Sequence, residues 1–269
     1  MASGPAGPVT PGPVELVHRL RAAGCVFAEE EAALLAEAAD DAAHLDQLTA
    51  RRLVGEPLEQ VLGWVAFDGL RLRVRPGVFV PRQRTTFLVQ VAADLAPQGA
   101  MVADVCCGIG AIAAALTARR ADLDLYAADS DPVAVALARE NLPDRVGTGC
   151  GDLLDALPAR LQGRLGMVVA NTPYVPSGQI AHLPVEARAH EPLPTLDGGA
   201  DGLDVQRRLA QRAPRWLAPG GYVLTEIAAT QRDAAVAAFT AAGFQATVRI
   251  SEEWGSGVLV ARVPLAGGA

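Results

Sequence analysis

The chain has 269 residues, a formal net charge of −7, 51% hydrophobic and 20% charged residues, a composition that fits a globular protein of roughly 1.8 domains rather than a disordered or fibrous one. All 23 basic residues are arginine, so mechanisms needing a lysine amine are excluded: a P-loop lysine on phosphates, a pyridoxal Schiff base, the strand lysine of a protein kinase. The acidic balance argues against direct nucleic-acid binding through many phosphate contacts, and Cys25, Cys106, Cys107 and Cys150 lack the paired spacing of a zinc site or disulfide framework, which fits a reducing cytoplasm.

The segment Met1 to Pro13 has no arginine-flanked apolar core, and no run approaches the ~20 apolar residues of a membrane span; a soluble, unexported chain is expected. Three helical patterns follow, Val14 to Ala23, Ala28 to Ala39 and His44 to Val54, with Gly24 and Gly55 as stop signals for the first and third. The second carries Glu29, Glu30, Glu31, Glu37, Asp40 and Asp41 around an Ala/Leu stripe, the pattern of a solvated acidic face. Val61 to Phe67 and the alternating Leu70 to Arg75 flank Asp68-Gly69 and read as a β-hairpin with Arg71, Arg73 and Arg75 on one face. That face is either a solvated strand surface or a partner-binding one.

From Thr85 onward helices and strands alternate. Helices are expected at Thr85 to Ala96, Ala111 to Arg119, Pro132 to Asn141, Leu203 to Leu217 and Ala229 to Ala242. Strands are expected at Met101 to Val105, Leu123 to Ala128, just before Asp152, and at Met167 to Ala170, Tyr222 to Ile227, Ala246 to Ile250 and Val258 to Val263. This order predicts an α/β fold, a mostly parallel sheet wrapped by helices with its ligand crevice at the carboxyl ends of the strands. The expected division is a helical unit over 1–58, a hairpin linker over 59–82 and the larger unit over 83–269.

The turn after the first of these strands reads Asp104-Val-Cys106-Cys-Gly108-Ile-Gly110. Glycines let a backbone approach a ligand, and the following helix start offers free N–H groups to an anion. A dinucleotide fingerprint would have a third glycine where Ala113 stands and another at Cys106. Asp129 comes 19 residues beyond Gly110, near the ~20 at which a carboxylate accepts both hydroxyls of a ribose. Asp152 is either a contact for an adenine amino group or a helix N-cap, and Asp104 is expected to face a cationic ligand. Acidic contacts of this kind favour S-adenosylmethionine over NAD, since its sulfonium tolerates an acidic pocket.

Asn171-Thr172-Pro173-Tyr174 follows the apolar strand directly. It resembles the Asn-Pro-Pro-Tyr motif of methyltransferases acting on planar amide or amine nitrogens. With Gly55 to Gly63, Pro76 to Arg82, Glu191-Pro192, Gly198 to Leu203 and Leu217 to Gly221 in the same order, the chain resembles the release-factor glutamine methyltransferases of the HemK/PrmC type, from about Val14 to Val263. The resemblance implies a Rossmann-like class I S-adenosylmethionine-dependent methyltransferase with a seven-stranded sheet, acting as a monomer on the Gly-Gly-Gln loop of a peptide chain release factor. It implies that the Asn171 side chain and the Thr172 carbonyl hold the glutamine amide, with Pro173 and Tyr174 completing the motif. Asp104, Cys106, Gly108, Gly110, Asp129, Asp152, Asn171 and Arg82 form the implied cofactor set, and no metal is implied.

Two departures stand out. Thr172 replaces a proline, and Gln83-Arg84-Thr85-Thr86 stands where the family has Pro-Glu-Thr-Glu, which opens the prospect of another glutamine-containing protein as substrate. Glu226 also matches a family position, with a strand-end structural role as the other reading. Alternative functions are an adenine or guanine N-methyltransferase on nucleic acid and a non-catalytic S-adenosylmethionine-binding assembly protein.

Overall fold

Four helices open the described chain, α1 (Pro13–Ala22), α2 (Ala28–Ala38), α3 (Ala42–Leu53) and α4 (Leu58–Leu62). The structure, a computed structural model, describes residues 13–265, so the reading of the first twelve residues lies outside it. Leu16, Leu20, Leu35, Leu48 and Val61 pack together as a core of their own. Helix α3 begins at Ala42 because the Asp41 side chain accepts the His44 N–H at 2.8 Å and caps the first turn. The acidic face of α2 is not wholly solvated: Glu31 is buried and pairs with Arg52 of α3 at 2.6 Å.

The hairpin is shorter than its apolar pattern suggests. Leu58–Leu62 is helical and ends at the left-handed Gly63, so the first strand is β1 (Trp64–Phe67), paired antiparallel with β2 (Leu70–Arg73). Val61 belongs to the core of the helical unit, whereas Val65, Phe67 and Leu72 pack into the core of the larger unit. Asn141 clamps the hairpin from outside: its Oδ1 accepts the Arg73 N–H at 2.8 Å and its Nδ2 donates to the Arg73 carbonyl at 3.0 Å.

The rest of the chain alternates. Helix α5 (Thr86–Leu95) is followed by β3 (Met101–Val105), α6 (Ala111–Arg119), β4 (Asp124–Asp129), α7 (Pro132–Asn141), β5 (Gly147–Cys150) and β6 (Leu165–Ala170). Then come α8 (Val185–His190), α9 (Asp204–Arg212), β7 (Leu217–Ile227), α10 (Arg232–Ala241), β8 (Gln245–Ser251) and β9 (Ser256–Arg262). Helix α9 stops at Arg212 because Pro214 lies in the next turn, which is 3₁₀, and the strand after it starts five residues before the expected Tyr222.

Seven strands form one sheet in the order β5-β4-β3-β6-β7-β9-β8. Neighbours from β5 to β7 pair in parallel, and β9 runs antiparallel to both β7 and β8. One apolar cluster on one face includes Leu88, Ile112, Leu116 and Leu137; the other face packs Leu154, Leu209, Trp216 and Phe239. Because β4, β3 and β6 are adjacent and parallel, their carboxyl ends bring Asp129, the Cys106–Gly110 turn and Asn171 to a single edge.

Candidate active site

A cavity of about 670 Å³ opens at that edge. Cys106 to Ile109, Asp129 to Asp131 and Asn171 to Val175 line its inner part; Pro57, Glu59, Phe79, Arg82 and Arg84 line it from the linker side, and Leu183, Pro184, Glu186, Glu191 and Pro192 from the segment between β6 and α9. Two ion pairs tether that last segment: Arg82 to Glu191 at 2.5 Å, and Arg52 of the helical unit to Glu186 at 3.2 Å. Burial pushes the Glu191 carboxyl up, and Arg82 opposes it.

The turn after β3 is held from beneath. Asp104 is fully buried, and its Oδ2 accepts the Ala113 N–H at 3.0 Å while its Oδ1 has no partner. Burial raises its carboxyl to about 8. The turn bends through Cys106 in the left-handed region, φ +57°, and Cys107 N–H donates to the Ala128 carbonyl at 3.0 Å. Asp129 accepts the Gly108 N–H on Oδ2 at 2.8 Å and the Asp131 N–H on Oδ1 at 2.9 Å, with burial again the cause of its raised pKa. Burial likewise pushes both adjacent thiols up, which keeps Cys106 and Cys107 protonated and unreactive at neutral pH.

Gly108 is open on the side where a Cβ would stand, leaving room for a ligand against the backbone. An acidic, glycine-lined edge with an unpartnered buried carboxyl oxygen behind it suits a cationic nucleoside such as S-adenosylmethionine. The residues present therefore fit that cofactor.

Asn171 to Tyr174 form the opposite wall. Asn171 Nδ2 donates to Thr85 Oγ1 at 3.3 Å, and Thr85 Oγ1 donates to Glu226 Oε2 at 2.7 Å. The other oxygen, Glu226 Oε1, accepts Arg84 Nε at 3.0 Å and the Tyr174 hydroxyl at 3.1 Å, and Arg84 also donates to that hydroxyl. Burial, with Glu226 beside it, raises the Tyr174 phenol above its usual range. The backbone is fixed too: Gln231 Nε2 donates to the Tyr174 carbonyl at 2.8 Å and the Asp201 carbonyl at 2.9 Å, and Val175 bridges to Asp197. The Gly198 to Leu203 block is thus the brace of the Asn171–Tyr174 loop.

Of the residues expected from sequence, Asn171, Thr172, Pro173, Tyr174, Cys106, Gly108, Asp129 and Arg82 share the cavity wall. Three stand elsewhere. Asp104 lies beneath the turn, bonded to α6 through Oδ2, with Oδ1 left unpartnered. Gly110 packs toward Leu142 and Ala138 of the α7 region. Asp152 is exposed and paired with Arg208 and Arg212, which hold it below the usual carboxylate range although desolvation acts the other way. The N-cap alternative does not describe it, since its side chain makes no capping bond.

The hairpin arginines are also less free than their alternation implies: Arg71 stacks on Trp64 at 3.9 Å, and Arg73 and Arg75 both pair with Glu140. Thr85 and Gln231 were not singled out by sequence reasoning. The available signal was Glu226, an acid inside the apolar run Tyr222 to Ile227, where a buried carboxylate must have partners.

The methyltransferase small domain family matches residues 69–188. A release factor glutamine methyltransferase of Geobacter sulfurreducens is 36% identical over 200 residues, 73% of this chain and 69% of its own length. One from Streptomyces coelicolor is 39% identical over 198 residues, covering 72% and 70%. Among solved structures, a methyltransferase from Pyrococcus furiosus has a TM-score of 0.57 at 15% identity, covering 82% of this chain and 100% of that one, a likeness of fold. No helix among the described residues is long and apolar enough to cross a membrane.

Proposed function

Because the chain belongs to the release factor glutamine methyltransferase family, we propose that it methylates the side-chain amide nitrogen of a protein glutamine, in the Gly-Gly-Gln loop of a cytoplasmic peptide chain release factor. Family and fold imply S-adenosylmethionine as the methyl donor. The observation that carries the reading is the single cavity shared by the Cys106–Gly110 turn, Asp129 and Asn171–Tyr174.

When bound, S-adenosylmethionine supplies an electrophilic methyl group on a sulfonium. Gly108 admits it against the backbone, and Asp129, whose two oxygens already accept N–H groups, keeps lone pairs for ribose hydroxyls. Cys106 shapes the turn beside it. Arg82 stands at the linker side of the cavity, neutralising Glu191.

An amide nitrogen is a weak nucleophile because its lone pair is delocalised, so the protein's main contribution is alignment. Asn171 Oδ1 and the Thr172 carbonyl accept the two amide N–H groups and aim the nitrogen at the methyl; as the N–C bond formed, the methyl–sulfur bond would break with its electron pair left on a neutral thioether, and the nitrogen would shed one proton to solvent. Thr172 keeps the carbonyl that a proline would present, and Pro173 holds it extended. Tyr174 packs beside the inserted side chain. The helical unit and the segment that follows the hairpin, which reach the cavity through Pro57, Glu59 and Phe79, are placed to grip the substrate protein.

The test is incubation with methyl-labelled S-adenosylmethionine and a recombinant release factor, followed by mass spectrometry. One methyl on the Gly-Gly-Gln glutamine, absent when that glutamine is alanine, is expected. Label on RNA or DNA alone, or cofactor binding without transfer to any glutamine, would replace this reading with one of its two rivals.

A further inference from the structure

A side-chain amide can present either its oxygen or its NH₂ group to a substrate, and the two faces of Asn171 have opposite consequences. With the oxygen inward the site takes N–H donors, as a primary amide offers. With NH₂ inward it takes acceptors, as the isosteric carboxylate of glutamate offers. Nothing in the motif itself chooses between them.

The surrounding bonds do choose. Arg84 Nε can only donate, so it and the Tyr174 hydroxyl fix Glu226 Oε1 as an acceptor. Glu226 Oε2 accepts in turn, and the only proton available at 2.7 Å is that of the Thr85 hydroxyl. Having given its proton to Glu226, Thr85 Oγ1 is left as an acceptor toward Asn171, which meets it with Nδ2 at 3.3 Å. Asn171 Oδ1 is thereby turned away from Thr85 and left for the substrate. Glu226 and Thr85 are buried, so water does not compete for these bonds, and Gln206 Nε2 pins the Glu226 carbonyl at 3.1 Å.

We propose that Glu226, acting through Thr85, fixes the orientation of the Asn171 amide and so makes the cavity select a glutamine side chain over a glutamate. The proposal rests on the assignment of Asn171 as the amide-holding residue. Glu226 is a positioning residue outside the cavity lining, and Thr85, which does line the cavity, acts in this relay through Asn171. Arg84, which stands where the family has an acid, belongs to the relay because it dictates which end of residue 226 accepts.

The diagnostic variant is Glu226→Gln. With Arg84 demanding an acceptor, the new amide turns its oxygen to Arg84 and its NH₂ to Thr85. Thr85 then accepts there and donates to Asn171, which reverses and presents NH₂ to the cavity. Thr85→Val removes the relay without changing volume, and Thr85→Ser restores it.

Two readouts are needed, with fold and cofactor affinity of each variant checked by circular dichroism and calorimetry. The first is competition between a release factor and its Gly-Gly-Gln to Gly-Gly-Glu variant for the S-adenosylhomocysteine-loaded enzyme. Wild type and Thr85→Ser should prefer glutamine, and Glu226→Gln should shift the glutamine-to-glutamate affinity ratio toward glutamate by roughly 100-fold, the scale expected when a buried hydrogen-bonding group is mismatched. An unchanged ratio in a folded Glu226→Gln protein overturns the proposal. The second is the ¹⁵N-edited solvent exchange of the Asn171 side-chain NH₂ without substrate. One slowed proton in wild type and Thr85→Ser, lost in Thr85→Val and Glu226→Gln, supports the relay; the same exchange in all four overturns it. If wild type binds no release factor, the substrate reading fails, and the exchange measurement still decides the relay.

Discussion

Gly202 sits against the carbonyl of Tyr174 so closely that a methyl group on its Cα would overlap both that oxygen and the Gln231 amide bonded to it. With φ at +82° the position is also one that a side chain rarely adopts. The consequence is a link between the Gly198 to Leu203 block and the chemistry: the block is a clamp on the loop that carries Asn171. Gly202→Ala is expected to cost about 1–3 kcal/mol of stability through strain and overpacking. Methyl transfer should fall far more than affinity for S-adenosylmethionine, because the Cys106–Gly110 turn is untouched. Turnover and cofactor calorimetry on the same preparation check this; equal losses in both would mean that the clamp does not act through the loop.

Asp104 provides a pH signature. Its folded carboxyl is raised to about 8 by burial, whereas an unfolded aspartate titrates near 3.9. The folded state therefore holds a proton that the unfolded state has released, and the stability it contributes is full below pH ~4 and lost as pH rises through about 8. The slope from this group approaches about 1.4 kcal/mol per pH unit at its steepest. Urea unfolding of the cofactor-free protein between pH 5 and 8 should show this decline, and Asp104→Asn should flatten it. An identical slope in the variant would remove Asp104 as its source.

Cys106 occupies a left-handed conformation that costs a side chain roughly 1–2 kcal/mol. Replacing it with glycine should relieve strain and raise stability by about 0.5–1 kcal/mol, after allowing for the greater freedom of glycine in the unfolded chain. Cys106→Val, with its branched Cβ, should do the reverse. Chemical denaturation of both variants measures the difference, and a glycine variant less stable than the parent would contradict the strain.

Arg84 and Glu226 are coupled although they are unequally exposed, 47% against 2% of the side chain. Arg84→Met leaves a buried carboxylate without its cation. A fully enclosed pair would lose about 3–5 kcal/mol; with half the guanidinium in water, about 1–3 is expected. Adding Glu226→Gln to Arg84→Met should recover most of the loss, since the stranded charge is gone. A double-mutant cycle decides this, and additive losses would show that the two do not interact.

Much of the architecture was legible because its signals are local. Apolar runs bounded by glycine and proline gave β3, α6 and α7 to the residue. Adjacency was not legible. Val61 and Leu62 read as the start of a strand until Val61 is seen packing on the helical unit, and Asp152 reads as a candidate helix cap until Arg208 and Arg212, more than fifty residues on, are found pairing with it. Likewise Arg71, Arg73 and Arg75 form a free face in one dimension, and Trp64 and Glu140 engage them in three. The motif Asn171–Tyr174 marked one wall of the cavity, but not the Arg84, Thr85 and Glu226 network behind it, because that network joins the turn before α5 to the far end of β7.

In the function proposed above, one cavity aligns a glutamine amide on Asn171 with a methyl donor held at Asp129. The rate of methyl transfer to the release factor by Asn171→Ala, read beside its affinity for S-adenosylmethionine, tests it most directly. A fall in transfer of roughly 100-fold or more, with cofactor affinity within a few-fold of the parent, is predicted. Transfer to the same glutamine at the parental rate would contradict the account.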